Sequence, residues 1–177
     1  MKLSEILQEK KDKILSIWID RTLNSYSAPG FFKKSRDHFA NPTGANIKDG
    51  LTKVLDLLLQ GAALEEFTAP LDQVIRIRAV QEFSPSQAVV PFLELKWVIR
   101  QVLSENKKNI FPELDIITLD CEIDKVALAA FDIYTQCREQ LYQVRIKELK
   151  SGSYILSDTP CSSSMMRKKQ VDPSKIN

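Results

Sequence analysis

The chain contains few side chains that could catalyse a reaction or hold a metal ion. Its one histidine is His38, in the segment 34–39. A haem, a zinc site, or a serine or cysteine nucleophile with a histidine base would each depend on this residue. The phosphate-binding patterns GxGxxG and GxxxxGKS do not occur in the sequence. We therefore expect a protein that is not an enzyme and that binds no metal and no cofactor.

The three cysteines also favour structural roles. Cys121, Cys137 and Cys161 are odd in number and lack CxxC spacing, which is typical of reduced thiols. Cys137 falls on the apolar side of a predicted helix, so we expect a core residue rather than a redox switch. The N-terminus lacks the apolar stretch of a signal peptide, and no segment approaches the ~20 apolar residues of a membrane span. These features predict a cytoplasmic protein.

Two cations on apolar helix faces are the least expected feature. Arg78 falls beside Val74, and Lys96 falls near Phe92, while Gln81 lies at the edge of the same face as Arg78. Burying a cation without a partner costs several kcal/mol, so each needs a carboxylate, a carbonyl, water or a ligand anion. We expect Arg78 and Lys96 to approach each other or to share a polar neighbour, with Gln81 close by.

Two interpretations of this cluster remain open. Arg78, Gln81 and Lys96 could form a small pocket that binds an anionic or polar ligand. Alternatively, both cations are paired inside the fold, or extend their charged ends to its rim. The overall charge does not distinguish these interpretations, since the chain contains 25 basic and 23 acidic residues. Residues 1–150 carry 21 of each sign, which disfavours binding to nucleic acid because such proteins usually show a basic patch.

Helical periodicity runs through the whole chain up to about residue 150. Apolar residues recur at intervals of three and four, and only five glycines are present, which argues against a fold with many tight turns. We predict an all-α bundle of five or six helices, globin-like, in a domain of residues 1–150, followed by a flexible tail over 151–177. The predicted helices cover about 4–26, 45–60, 68–83, 85–104 and 113–150.

The last predicted helix is too long for one small domain. Its length would be about 55 Å, against the ~30 Å diameter of such a domain. It also carries a second apolar flank that includes Phe131, Tyr142 and Ile146. Exposed apolar patches of this kind mark interfaces, so we predict a homodimer with these three residues nearest the partner.

The stretch Arg78–Ala88, which reads RAVQEFSPSQA, resembles the N-terminal domain of RsbRD-type proteins. These are named for the RsbT co-antagonists of the bacterial stressosome. The similarity continues through Leu95 and Lys96 into the final helix, where residues 131–139 follow the pattern FDxYxxCRE. Trp18 on the first helix fits as well. The resemblance covers roughly residues 3–150.

The resemblance implies a helical sensory module that is not an enzyme. Related stressosome proteins have dimeric, globin-like N-terminal domains without haem, which a helix joins to a STAS domain. The chain departs from the family pattern after the last predicted helix, where only some 25 residues follow, too few for a STAS or kinase domain. We therefore do not expect it to antagonise a kinase by phosphotransfer. The leading hypothesis is a sensory or adaptor domain in bacterial signal transduction, acting through dimerisation and helix-mediated contacts. The alternatives are a small-molecule carrier or enzyme that uses an Arg78/Lys96 pocket, and a structural accessory subunit of a larger complex.

Overall fold

The computed structural model describes residues 2–26, 29–30, 41–81, 83–105 and 112–151. These ranges contain helices and no strand, so the predicted all-α fold is confirmed. A 3₁₀-helix, Leu64–Phe67, leads directly into the fourth helix. In chain order the α-helices are α1 (Leu3–Glu9), α2 (Lys11–Asn24), α3 (Pro42–Gln60), α4 (Thr68–Val80), α5 (Pro85–Ser104) and α6 (Glu113–Ser151).

The helix boundaries follow local capping rules, with three departures from the sequence-based prediction. The predicted first helix is two helices, since Lys10 adopts φ −95° and ψ 6° between α1 and α2. α3 begins at Pro42 because the Asn41 side chain accepts a hydrogen bond from the Gly44 amide at 2.9 Å. α4 begins at Thr68 as predicted, directly after the 3₁₀-helix, but ends at Val80 rather than near residue 83.

The predicted start of α5 is confirmed in detail. The Ser84 amide donates to Gln87 Oε1 at 2.9 Å, and the Gln87 amide donates to Ser84 Oγ at 3.3 Å. This reciprocal capping box satisfies two amide groups that no helical carbonyl can reach. Pro85 occupies the first helical position, where the absence of an amide proton has no cost.

The helices divide into two compact units, residues 1–139 and residues 140–177. In the first unit α3 packs most extensively on α4, and α2 on α5. Trp18 of α2 is fully buried, and its indole donates to the Pro91 carbonyl at 2.7 Å. In the second unit the described residues are the end of α6, from Gln140 to Ser151. No described helix is long and apolar enough to cross a membrane.

Gly50 sets the close approach of α3 to α4. A Cβ atom at this position would lie 2.5 Å from a methyl group of Val74 and 3.1 Å from the Pro70 carbonyl oxygen. The carbonyl belongs to the backbone of α4 and cannot rotate away, so any side chain would push the two helices apart. The close contact therefore requires glycine here, although glycine lowers intrinsic helix stability.

We expect Gly50→Ala to destabilise the protein by about 1–3 kcal/mol, because it overpacks this contact. At an ordinary exposed helix position the same exchange stabilises by roughly 0.5–1 kcal/mol, so the sign of the effect is diagnostic. Urea unfolding would measure it, with Asn46→Ala at an exposed position of α3 as the control. A stabilised Gly50→Ala protein would contradict the close contact.

Candidate functional site

Arg78 occupies a fully buried position where α2, α4 and α5 meet. Its exposure is 0%, and its guanidinium lies between two aromatic rings, 5.0 Å from that of Tyr26 and 4.2 Å from that of Phe83. The two rings meet edge to face, with centroids 5.0 Å apart. A cation over the face of an aromatic ring is attracted by its electron density, more strongly when water is excluded. The two rings thus replace part of the hydration that Arg78 loses.

One nitrogen of this guanidinium connects Arg78 to both neighbouring helices. Nη2 donates to Ser25 Oγ at 3.1 Å, at the end of α2, and to the Gln87 carbonyl at 2.8 Å, in the first turn of α5. In a regular helix the amide of residue 91 would donate to the carbonyl of residue 87. Residue 91 is a proline inside α5, which has no amide proton. Arg78 therefore supplies the donor that Pro91 cannot.

Two side chains of α6 hold the same corner from another side. Tyr134 donates its hydroxyl hydrogen to the Phe83 carbonyl. Arg138 Nη1 donates to the Ala79 carbonyl at 3.1 Å, in the last turn of α4. Carbonyls in a last turn lack helical partners and carry partial negative charge, so a cation there is favourable. Residues 78–81 and 83–87, which we call the Arg78 corner, are thus fixed by hydrogen bonds from α6 and by contacts with α2.

Burial dominates the electrostatics of the Arg78 corner. Loss of hydration lowers the pKa of Arg78, an effect that Tyr26 and the charge of Glu94 oppose. Burial likewise raises the pKa of Tyr26, although Arg78 opposes that change. Nε and Nη1 of Arg78 are buried and have no hydrogen-bond partner among the residues that the structure describes. Arg78 is therefore a buried cation whose donors are only partly used.

Lys96 belongs to a different contact. Its Nζ lies 2.6 Å from Asp124 Oδ1, and the two side chains are 21% and 50% exposed. No partner in the described contacts is common to Lys96 and Arg78, so the structure does not bring the two cations to one shared neighbour. Gln81 lies at the C-terminal end of α4, where it is exposed and outside the buried network. A ligand-binding role for Arg78, Gln81 and Lys96 stays a proposal.

The other residues singled out from the sequence occupy varied positions. Cys137 lies in the core as predicted, where burial raises the pKa of its thiol and disfavours the reactive thiolate. Trp97 is 50% exposed, and its ring centroid lies 4.3 Å from the guanidinium carbon of Arg21. His38 lies outside the described residues. No cluster of three or more metal-ligating side chains occurs in the described part of the chain.

A second site is an apolar groove of about 710 Å³ between α5 and α6, in the first unit. Phe131, predicted to lie near a partner, is 45% exposed at its wall. Tyr142 and Ile146 belong to the second unit, where they are 57% and 43% exposed. The groove is lined by Pro85, Ser86, Val89, Val90, Leu93, Asp124, Ala127, Leu128 and Phe131.

Sequence reasoning missed most partners of Arg78. Tyr26, Phe83 and Ser25 gave no signal, because each comes from a different segment and their meeting depends on tertiary packing. One signal was present: a proline inside a predicted helix leaves a carbonyl without a donor four residues earlier. Pro91 thus identifies Gln87 as an acceptor that some other side chain must satisfy.

We expect Arg78→Met to destabilise the protein by about 2–3 kcal/mol, since it removes charge-assisted hydrogen bonds to Ser25 and Gln87. Lys96→Met should cost less than about 1 kcal/mol, because Asp124 stays half exposed to water. Pro91→Ala restores an amide donor for Gln87, so in that background Arg78→Met should cost about 1 kcal/mol less. Denaturant unfolding of the four variants of the cycle measures this coupling. Strict additivity would show that Arg78 does not serve the carbonyl that Pro91 leaves free.

Comparison with known proteins agrees with this architecture. The family model described as "RsbT co-antagonist protein rsbRD N-terminal domain" matches residues 12–149. An uncharacterized protein of Archaeoglobus fulgidus is 23% identical over 141 residues, which cover 78% of this chain and 83% of that protein. No solved structure matches the chain. Since the family match spans well over half of the sequence and includes α2, α3, α4, α5 and most of α6, the chain belongs to the family of RsbT co-antagonist protein rsbRD N-terminal domains.

Proposed function

We propose that this protein is a non-catalytic sensory or adaptor domain in bacterial signal transduction, which acts by forming a homodimer through the apolar groove and the exposed side of α6. The exposed apolar surface on α5 and α6 is the observation that carries the proposal. Membership of the rsbRD family supports a role in stressosome-related signalling. The buried donors of Trp18 and Thr22 in the first unit bond to backbone carbonyls of the fold itself, which supports a structural rather than a catalytic role for these side chains.

The groove has the composition of a protein interface. Along α5, the lining residues Val90 and Leu93 are 41% and 42% exposed. Facing them on α6, Leu128 is 66% exposed and Phe131 is 45% exposed. Asp124 is the one charged residue in the lining, and its charge is paired with Lys96. A soluble domain seldom leaves such a continuous apolar surface in water unless a partner covers it.

The exposed side of α6 has the spacing of a helix that packs on two sides. Its inner stripe, with Ile123, Ala130 and Cys137, is buried in the core. Leu114 and Leu128 are 14 residues apart on the opposite side and are 71% and 66% exposed, a separation of two heptads. Exposed leucines on the side that faces water favour association with another helix.

A second copy of the chain is the simplest partner for this surface. In an interface with two-fold symmetry the same patch must supply both protrusions and cavities. The groove provides the cavity, and Leu128, a lining residue that is 66% exposed, would provide the side chain that enters the partner's groove. Signal output would then follow from a change in how the two α6 helices pack. In the second unit, Tyr142 and Ile146 are 57% and 43% exposed, and we place them in the proposed dimer contact as well.

We expect Phe131→Glu to weaken dimerisation about 30-fold, because loss of a buried aromatic residue at an interface typically costs ~2 kcal/mol. Light scattering coupled to size-exclusion chromatography, at tens of micromolar protein, measures the change. Leu64→Glu is the matched control, since Leu64 is 42% exposed but lies on the 3₁₀-helix away from the groove. A monomeric wild-type protein, or equal effects of both substitutions, would contradict the proposed interface.

A further inference from the structure

The groove of the proposed interface contains one charged side chain, and the chain itself supplies its counter-ion. Asp124 is the charged residue of the lining, and the other lining residues are apolar except for Ser86. Lys96 Nζ donates to Asp124 Oδ1 at 2.6 Å, from α5 to α6. Lys96 does not line the groove, and its side chain is only 21% exposed. The carboxylate is therefore neutralised from outside the surface that a partner would cover.

The same ion pair would have a larger effect in a dimer than in a single chain. The Asp124 side chain is 50% exposed in the single chain, so water can solvate the carboxylate with or without Lys96. A second copy that covers the groove would remove this water. A carboxylate that loses its water without gaining a counter-ion is strongly disfavoured. Lys96 would thus contribute little to the stability of one chain and much to its association.

We propose that Lys96 determines which surface the groove accepts, because its ammonium group neutralises Asp124 and lets an uncharged apolar surface cover the carboxylate. This inference rests on the proposed dimer and specifies the chemistry of its contact. The partner need not supply a cation, since the charge of Asp124 is already offset within the chain. The exposed Leu128 of a second copy meets this requirement. A partner that inserts a lysine or arginine would lose the hydration of its cation and meet a charge that is already neutralised.

The other charged residues around this pair are bonded elsewhere. Every other charged residue within four positions of Lys96 on α5 or of Asp124 on α6 has a different partner. These pairs are Arg21–Glu94, Arg100–Asp120 and Lys125–Glu122. Among the described residues, no second cation lies within ion-pair distance of Asp124. Replacing Lys96 would therefore leave Asp124 without a counter-ion.

The test compares dimer dissociation constants of the full chain, measured by sedimentation equilibrium. At about pH 8, Lys96→Met should weaken association about 30-fold, since removing one partner of a covered charge pair leaves the other charge unpaired. Lys96→Arg keeps the positive charge and should associate as the wild-type protein does. Arg100→Met is the matched control and should leave association unchanged, because Arg100 joins the same two helices through Asp120, which does not line the groove.

The pH dependence separates this role of Lys96 from a merely structural one. In Lys96→Met, the groove can be covered once Asp124 has taken up a proton, so lowering the pH from about 8 to about 4.5 should recover several-fold of the lost affinity. The wild-type protein at each pH is the reference. Asp124→Asn in the Lys96→Met background should restore association at every pH, because the side chain then carries no charge. A loss of equal size at every pH, or a double variant as weak as Lys96→Met, would overturn the proposal.

Failure of this inference and failure of the proposed interface give different results. A monomeric wild-type protein, or a Phe131→Glu protein that dimerises as tightly as the wild type, would reject the interface itself. If Phe131→Glu weakens the dimer while Lys96→Met associates as tightly as the wild type, the interface stands and the role of Lys96 is wrong. Equal weakening by Lys96→Met and Arg100→Met would also reject that role.

Discussion

Pro91 removes one amide proton from α5, and the guanidinium of Arg78 replaces it at the Gln87 carbonyl. Because Arg78 must be buried to reach that carbonyl, the protein also has to provide the two rings that enclose it and the Ser25 hydroxyl. A carbonyl left without a donor in the interior costs about 1–3 kcal/mol. Pro91 of α5 thus requires α4 to supply Arg78 and the end of α2 to supply Ser25. The packing of the three helices depends on these contacts.

α5 belongs to both sites described in the first unit. Its first turn carries the Gln87 carbonyl that Arg78 binds, and the next turn carries Val90 and Leu93, which line the groove. Packed helices transmit small displacements because protein interiors resist compression. A shift of α5 at the Arg78 corner would therefore move one wall of the groove as well. α5 therefore connects the buried contact between Arg78 and Gln87 with the groove at the surface.

Prediction from the sequence succeeded where the signals were local. The capping box at Ser84, the proline at the first position of α5 and the helical periodicity each act within a few residues. Arg78 was recognised as unusual because its neighbours on α4 are apolar. Its partners lie up to 53 residues away along the sequence. No short sequence pattern identifies partners so far apart in the chain. The exposure of Trp97 could not be predicted for a related reason, since apolar residues on several sides of α5 do not reveal which side faces water.

The two tryptophans occupy opposite environments, one at 0% exposure in the core and one at 50% exposure on α5. Indole fluorescence shifts to longer wavelength as the ring contacts water, so Trp97 should emit at longer wavelength than Trp18. Trp18 reports whether the interior is intact, and Trp97 reports whether its side of α5 is covered. Native emission spectra can therefore distinguish association from unfolding without any added label.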